Sequence, residues 1–293
     1  MESGRCERND EIMIQEKYSL TEQQIQHFET FGFLIRRNVF SPEEANKVSE
    51  EFDQRLESIR EEAGPGEERL FHNWPNRNPE TPYIASLLED PRIYVPSEQL
   101  VGEDSVPVHS NANSYRDSTP WHPDTRDHHL LMIKNVMYLQ PTSGEHGALR
   151  VIPGSHRNPL HDELLRIGLD CSSGKESLYL KKSGLRGEDI PCSIFSSNPG
   201  DIITFNGLIW HAAFGGFNDR RTCTFNFFRN PRSSEEKESM RKQVEITREN
   251  IKSLGTVGQQ YHPWWLDNPE GSTRRARWIN WLEEWSFVEA YNN

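Results

Sequence analysis

The chain has 293 residues, of which 34% are hydrophobic, a length that fits one large domain or two small ones. The 14 Phe, 8 Trp and 8 Tyr residues supply large side chains for a core. A formal net charge of -12 at pH 7 argues against a nucleic-acid or anionic-membrane partner, because either would need a basic face.

The N-terminus and the cysteines bear on the expected compartment. The first ten residues, MESGRCERND, contain no apolar segment of the kind a secretory signal needs. No apolar run approaches the length of a membrane span. The four cysteines show no CxxC spacing, which is typical of reduced thiols and not of a disulfide framework or a zinc site. They are Cys6, Cys171, Cys192 and Cys223. We therefore expect a cytoplasmic protein without a membrane partner.

Two helices are predicted over residues 20–60. Thr21 is a suitable N-cap for the first, and an apolar stripe that includes Phe28 ends at Gly32. The segment FLIRRNVF then predicts a short strand. The second helix is expected to follow Ser41, with a proline in its first turn and acidic residues near its start.

Residues 64–82 are rich in Gly, Pro and Asn and predict a long irregular loop. A loop of this length within a compact domain is usually functional or mobile. Its residues His72, Trp74 and Arg77 either close over a substrate or are simply exposed. Short helices are expected in the next segment, TPYIASLLEDPRIYVPSEQLV.

From about residue 106 to residue 230 the sequence changes to short apolar-alternating segments separated by turn signals. These segments are VPVHSNANSY, HLLMIKNVMYLQP, GALRVIP, DIITFNG and TCTFNFF. Such a pattern indicates an antiparallel sandwich or barrel. Residues 158–192 interrupt it as an insertion of loop and short helix.

A helical tail is predicted for residues 232–290. Its first part, SSEEKESMRKQVEITRENIKSLG, predicts an exposed helix. Its second part spaces Trp278, Trp281, Trp285 and Val288 as one face of a helix. That face forms either core or the seam of a dimer, so both a monomer and a homodimer are open.

A histidine and an aspartate stand two residues apart in TPWHPDTRDHH, at His122 and Asp124. Side chains at i and i+2 of a strand point to the same face, so the pair could hold a metal ion if a third ligand joined it. His211, after the strand-like GDIITFNG, is the candidate. Two imidazoles and one carboxylate form the facial triad of non-haem Fe(II) oxygenases. The alternative is an ordinary surface pair on a loop.

Together, several motifs in the chain resemble the phytanoyl-CoA dioxygenase family of Fe(II)/2-oxoglutarate oxygenases. The matching pieces are WHPD, GALRVIPGSHR, the GD...H...RR pattern over residues 200–221, and the N-terminal helix followed by GFLIRRNVF. The resemblance covers most of residues 20–230, whereas residues 231–293 match nothing in it. It implies one domain over residues 1–293. The expected fold is mainly β with flanking helices around a double-stranded β-helix, a cupin-like jelly-roll.

The resemblance also implies site residues. His122, Asp124 and His211 would bind Fe(II), and an arginine after the distal histidine would pair with the far carboxylate of 2-oxoglutarate. Arg220 and Arg221 compete for that role. Strand alternation puts Arg220 on a polar face with Thr222, Thr224 and Asn226, and Arg221 on an apolar face with Cys223, Phe225 and Phe227. The alternation predicts Arg220, whose planar fork suits a bidentate contact.

This chain has Ala213 where the family often has a hydroxyl residue two positions after the distal histidine. Asn111, Asn113 or Thr224 is therefore expected to assist the arginine. Lys134 stands where the family often has a polar residue near the cosubstrate, and its role is left open.

Three further histidines need an interpretation. His128 and His129 are expected to be solvated or to surround the metal ligands, with substrate contact as the alternative. His156 is expected to be a structural residue of its turn.

The resemblance implies an enzyme that uses Fe(II), 2-oxoglutarate and O2, and that hydroxylates a small-molecule metabolite with release of succinate and CO2. Asp124 favours hydroxylation, because related halogenases have a small residue at that position. Two alternatives remain. One is a cupin-like metal enzyme that does not use 2-oxoglutarate, and the other is a non-catalytic barrel that binds a ligand.

Overall fold

The computed structural model describes residues 13–63, 71–170, 177–215, 220–254, 256–267 and 273–292. Its strands are β1 (Phe33–Arg36), β2 (Phe71–Pro75), β3 (Val106–Pro107), β4 (Asn111–Tyr115), β5 (Thr119–His122), β6 (Met132–Tyr138), β7 (Leu149–Val151), β8 (Ser193–Phe195), β9 (Ile202–Asn206), β10 (His211–Ala213) and β11 (Arg220–Phe228). Its helices are α1 (Glu22–Phe31), α2 (Pro42–Ala63), α3 (Pro82–Ser86), α4 (Pro91–Val101), α5 (Leu160–Arg166), α6 (Leu178–Ser183), α7 (Ser234–Leu254), α8 (Pro263–Leu266), α9 (Thr273–Glu284) and α10 (Phe287–Asn292). Short 3-10 turns cover Leu87–Glu89 and Gly187–Asp189.

The strands form two antiparallel sheets, as predicted for a sandwich. The larger sheet has the order β1-β9-β6-β11-β4-β2, with β3 also paired to β11, and the smaller sheet has the order β5-β10-β7-β8. Strands β1 and β2 come from outside residues 106–230, so the larger sheet extends beyond the region in which the sequence predicted the core.

Helix α1 begins and ends as the sequence predicted. The Thr21 hydroxyl accepts a hydrogen bond from the Gln24 N–H (3.2 Å), and the Thr21 N–H donates to the Gln24 side chain (2.9 Å), which is a capping box. Gly32 ends the helix with φ of 84°. A Cβ at this position would lie 2.5 Å from Nδ1 of His156, so glycine is needed both for the left-handed conformation and for the close approach.

His156 has the structural role that the sequence predicted. Its Nε2 lies 3.1 Å from the Glu29 carbonyl oxygen, and the Gly154 N–H donates to the Phe31 carbonyl (2.9 Å). These contacts attach the turn after β7 to the end of α1.

The prediction of an irregular loop over residues 64–82 is wrong for residues 71–75, which form strand β2 against β4; residues 64–70 lie outside the described part. His72, Trp74 and Arg77 are all buried, so they neither close over a substrate nor face solvent. The Arg77 guanidinium donates to the carbonyls of Pro107 and Val108 and lies 4.9 Å from the ring centroids of Tyr261 and Trp265. Its burial lowers the pKa of Arg77 to about 10.

The C-terminal helices pack on the outer face of the larger sheet. Trp278 is fully buried, its ring meets that of Phe227 edge-on at 6.0 Å, and its Nε1 donates to the Ser105 carbonyl (3.0 Å). Trp281 is also buried, and Trp285 and Val288 are partly buried against the same core. The tryptophan face is therefore core within one chain, one of the two predicted alternatives.

Helix α7 was predicted to be exposed, and this is only partly right. Its Met240 and Val244 are buried in the core, and its Gln243 and Thr247 line a cavity. None of the helices in the described ranges combines the length and apolarity of a membrane span.

The predicted insertion over residues 158–192 contains α5 and α6, which pack around Trp121 and Trp210. Cys192 and Cys223 are free thiols, whereas Cys6 and Cys171 lie outside the described residues.

Candidate active site

Three neighbouring strands of the larger sheet, β4, β11 and β6, line the interior of the sandwich with alternate side chains. Their register is continuous: Arg220 lies opposite Tyr115, Thr222 opposite Asn113, and Asn226 opposite Lys134. Residues of the other parity belong to the outer core, namely Ala112, Ile133, Met137, Cys223, Phe225 and Phe227. No bulge interrupts β11 in this register, so its even-numbered residues all face inward.

The smaller sheet supplies two of the candidate metal ligands, and the loop after β5 supplies the third. His122 ends β5 and His211 begins β10, and the two residues are paired across these antiparallel strands. Their ring centroids lie 4.3 Å apart. Asp124 follows two residues after His122, and one ligand atom of each of the three side chains lies within 4.8 Å of the others. The structure thus brings together the three predicted residues.

Backbone carbonyls fix which imidazole nitrogens can bind a metal. Nδ1 of His122 lies 2.8 Å from the Pro120 carbonyl oxygen, and Nδ1 of His211 lies 3.0 Å from that of Ile209. A carbonyl oxygen only accepts hydrogen bonds, so the Nδ1 of each histidine carries the ring proton. The Nε2 of each histidine therefore keeps a lone pair that can bind a metal ion. Burial lowers the pKa of both imidazoles, that of His211 to about 3, which keeps them neutral as metal binding requires.

Asp124 is held as a carboxylate. Its side chain is 16% exposed, and burial alone would raise its pKa. The nearby Lys134 ammonium and the two histidines outweigh burial and hold the pKa of Asp124 well below its usual range. Lys134 Nζ lies 2.7 Å from Oδ1 of Asp124. Two neutral imidazoles and one carboxylate are a donor set that fits Fe(II), with coordination positions left open.

Arg220 lies inside the sandwich near the three ligands. It is 4% exposed, its Nη2 donates to the Thr119 hydroxyl (2.5 Å), and its Cζ lies 4.7 Å from the ring centroid of Tyr115. Its Nη1 is buried and has no hydrogen-bond partner among the described residues. Arg220 and the three candidate ligands line one cavity of about 170 Å³.

Arg221 points to the opposite face of β11, as alternation predicted. Its guanidinium pairs with the Asp53 carboxylate of α2 (2.6 Å to Oδ1) and donates to the Leu139 carbonyl (3.1 Å). Arg220 is therefore the arginine that faces the cavity; its contact with a cosubstrate stays a prediction.

Of the groups expected to replace the hydroxyl missing at Ala213, only Thr224 lines the cavity around Arg220. Asn111 and Asn113 lie further along β4 in a neighbouring cavity, because the register places Tyr115 opposite Arg220. Thr119, which was not predicted from the sequence, lies opposite Ala213 across β5 and β10. The pairing of β5 with β10 would have revealed it.

The neighbouring cavity has a volume of about 230 Å³ and shares Asp124, Lys134, Tyr115 and Thr224 with the first. Lys134 therefore lies at the junction of the two cavities. The remaining lining residues are His109, Asn111, Asn113, Met132, Asn226, Phe228, Gln243, Thr247, Thr256 and Gln260. Gln243 and Thr247 belong to α7, and Thr256 and Gln260 belong to the segment after it. These residues were not predicted to be near the site.

His128 and His129 lie outside the triad, along an open depression of about 880 Å³ at its mouth. The His128 ring meets that of His161 edge-on at 4.9 Å, and its Nε2 lies 3.6 Å from the Asp162 carboxylate. His129 is exposed. Their placement agrees with the expectation of side chains around the site.

The sequence model of the phytanoyl-CoA dioxygenase family matches residues 28–222. The chain belongs to this family. Ectoine dioxygenases of Bordetella bronchiseptica and Bordetella parapertussis are each 24% identical to it over an alignment of 159 residues, and the matches cover 47% of this chain and 50% of each relative. The chain thus spans about half the length of the curated relatives it matches.

Solved structures share the fold of this chain. HygX from Streptomyces hygroscopicus, solved with nickel and 2-oxoglutarate bound, superposes with a TM-score of 0.54 at 21% identity, covering 72% of this chain and 88% of HygX. EctD from S. alaskensis gives 0.51 at 18% identity, covering 72% and 77%. The predicted jelly-roll core with flanking helices is thereby confirmed.

Proposed function

We propose that this member of the phytanoyl-CoA dioxygenase family is an Fe(II)- and 2-oxoglutarate-dependent dioxygenase that hydroxylates a small molecule. The observation that carries the proposal is the shared cavity of His122, Asp124, His211 and Arg220. This cavity joins a metal donor set to a buried guanidinium, the two elements that binding of a 2-oxo dicarboxylate to a metal requires.

The three ligands would hold the ion from rigid positions. His122 and His211 would bind it through Nε2, since Nδ1 of each is committed to a carbonyl, and Asp124 would bind it through its carboxylate. When bound, Fe(II) supplies the open coordination positions at which 2-oxoglutarate and O2 react, coupling release of succinate and CO2 to oxidation of the substrate.

Arg220 would hold the far carboxylate of 2-oxoglutarate. Its Nη1 has no hydrogen-bond partner in the described ranges, and a guanidinium presents paired donors that match a carboxylate. Thr119 holds the other end of the fork through Nη2, so the guanidinium is oriented before the cosubstrate arrives. The low exposure of Arg220 strengthens the contact, because water does not compete for it.

The buried guanidinium also separates this proposal from its rivals. A cupin-like enzyme without 2-oxoglutarate, or a barrel that only binds a ligand, does not require a buried arginine in the same cavity as the metal ligands. Ectoine dioxygenases are among the relatives, and one HygX structure contains hygromycin B, which supports a small-molecule substrate.

The free thiols Cys192 and Cys223 support a cytoplasmic location.

The test follows succinate formation from 2-oxoglutarate in the purified protein, with and without Fe(II), together with Ni(II) binding by calorimetry. We expect Fe(II)-dependent succinate, and we expect His122→Ala, Asp124→Ala and His211→Ala each to abolish it and to weaken Ni(II) binding. His27→Ala, at an exposed residue of α1 outside the triad, is the control.

Two results would contradict the proposal. Succinate formation that does not depend on Fe(II) would remove the metal from the reaction. Ni(II) binding at full strength in one of the three alanine variants would remove that residue from the ligand set.

A further inference from the structure

The cavity beside the metal donors, of about 230 Å³, contains buried amide groups that lack partners. Oδ1 of Asn111, Oδ1 of Asn226 and Nε2 of Gln260 are buried without a hydrogen-bond partner among the residues described. Asn226 and Gln260 are only 6% and 2% exposed. Buried polar groups in folded proteins are nearly always paired, so three orphaned amide atoms around one cavity indicate a ligand that pairs with them.

A second set of amides in this cavity is already organised. Asn73 donates to Oδ1 of Asn113 (2.5 Å) and accepts from Nδ2 of Asn111 (3.2 Å). The Thr256 hydroxyl donates to the same Asn73 oxygen (3.0 Å). These bonds fix the orientation of Asn111, so its free oxygen is positioned before a ligand binds.

The charges of the cavity favour an uncharged ligand. Among the described lining residues, the charged side chains are Asp124 and Lys134, and they pair with each other at 2.7 Å. His109 is neutral, because burial lowers its pKa to about 3. Carboxamides each offer a donor and an acceptor, and so do hydroxyl groups. An alkyl chain would leave the amides unpaired, at a cost on the order of tenfold in binding for each group.

The volume of the cavity indicates the size of the ligand that fits within it. A space of about 230 Å³ corresponds to roughly eight water molecules at ~30 Å³ each. This accommodates a molecule of about monosaccharide size.

Part of the wall lies outside the family match. Residues 28–222 match the family, whereas Asn226, Gln243 and Gln260 follow that range and line the cavity. This part of the wall comes from β11 beyond residue 222, from α7 and from the segment before α8, whereas Asn111 and Asn113 lie within the matched range.

We infer that the cavity is the substrate site and that it takes a small, uncharged, polyhydroxylated molecule, with Asn111, Asn226 and Gln260 as its specificity-determining residues. This inference rests on the proposed function for the reaction at the adjoining metal. The polyol is placed next to Asp124, so that one of its C–H bonds faces the metal donors.

The experiment measures binding and turnover separately. Calorimetry on the Ni(II)- and 2-oxoglutarate-loaded protein is performed with uncharged polyols (myo-inositol, its stereoisomers, aldohexoses and hexitols) and with octanoyl-CoA. We expect saturable binding of at least one polyol and none of the CoA ester. Absence of binding by every polyol, or binding of the CoA ester in their place, would overturn the inference. Succinate formation with Fe(II) tests the proposed function separately. A failure of the proposed function is therefore distinguished from a failure of the polyol inference.

Variants then locate the bound polyol. Asn226→Ala and Gln260→Leu, on different elements, remove the amides without adding a much larger side chain and should each raise the Kd at least tenfold. Gln54→Leu makes the same kind of change on the exposed face of α2 and should leave the Kd unchanged. Thermal unfolding confirms that each variant is folded. An unchanged Kd in both cavity variants would show that the polyol binds elsewhere.

Discussion

Replacement of Arg220 by alanine is the sharpest test of the cosubstrate site. Arg220 is 4% exposed, and Nη2 is bound to Thr119 while Nη1 has no partner within the described ranges. Loss of a bidentate charged contact in such an environment costs about 2–5 kcal/mol. At 1.36 kcal/mol for each factor of ten, the KM for 2-oxoglutarate should rise roughly 30-fold or more.

Arg221→Ala is the matched control, because the neighbouring guanidinium faces the other side of the same strand. The Arg221 and Asp53 side chains are 23% and 52% exposed, and an ion pair of this kind contributes about 0–1 kcal/mol to stability. We therefore expect an unchanged KM for 2-oxoglutarate and at most a small loss of thermal stability.

The assay is succinate formation at varied 2-oxoglutarate concentration, with Ni(II) binding measured in parallel. Ni(II) affinity should be nearly the same in the wild-type protein and in Arg220→Ala, because the arginine is not among the metal donors. A larger rise in KM for Arg221→Ala than for Arg220→Ala would refute the inward assignment of the even-numbered residues of β11.

Two further outcomes are expected. Thr119→Val removes the hydroxyl that accepts a hydrogen bond from Arg220 and should raise the KM for 2-oxoglutarate by roughly fivefold, equivalent to about 1 kcal/mol. Thr119→Ser keeps a hydroxyl and should have the KM of the wild-type protein. Equal KM values in the valine and serine variants would show that the hydroxyl is not used. Trp278→Ala removes a fully buried indole and should cost about 3–5 kcal/mol, or roughly 6–20 °C in Tm. Trp264→Ala, at a side chain that is 40% exposed, should leave Tm nearly unchanged, and similar losses in the two variants would argue against the buried role of Trp278.

The candidate metal ligands could be predicted from their spacing and from the family resemblance. Asp124 lies just after the end of β5 and not in the strand, but its side chain still meets those of His122 and His211. The inward direction of Arg220 could be predicted because alternation over one uninterrupted strand needs only the sequence of that strand.

The features that could not be predicted from the sequence depend on which strands pair. Thr119 is one hydroxyl among many until β5 lies against β10 and places it opposite Ala213. Strand β2 was hidden because its sequence, FHNWP, contains an asparagine and a proline that indicate a loop; in the structure the Asn73 side chain is satisfied by Asn113. Pairing of this kind follows from tertiary contacts, which outweigh local propensity.

Strand β11 contributes residues to both the proposed reaction site and the proposed substrate site. Its even-numbered residues all face inward, so Arg220 lies in the cavity of the candidate metal ligands and Asn226 lies in the neighbouring one, six residues along the same strand. The family match ends at residue 222, between these two residues. Residues up to that point include the proposed metal ligands, Arg220, and Asn111 and Asn113 of the second cavity, and those after it include Asn226, Gln260 and the helix α7 that complete the wall of that cavity. Substitution of Asn226 is therefore expected to change the second cavity while Arg220 stays in place, because the alternation of the strand sets the direction of each side chain whatever its identity.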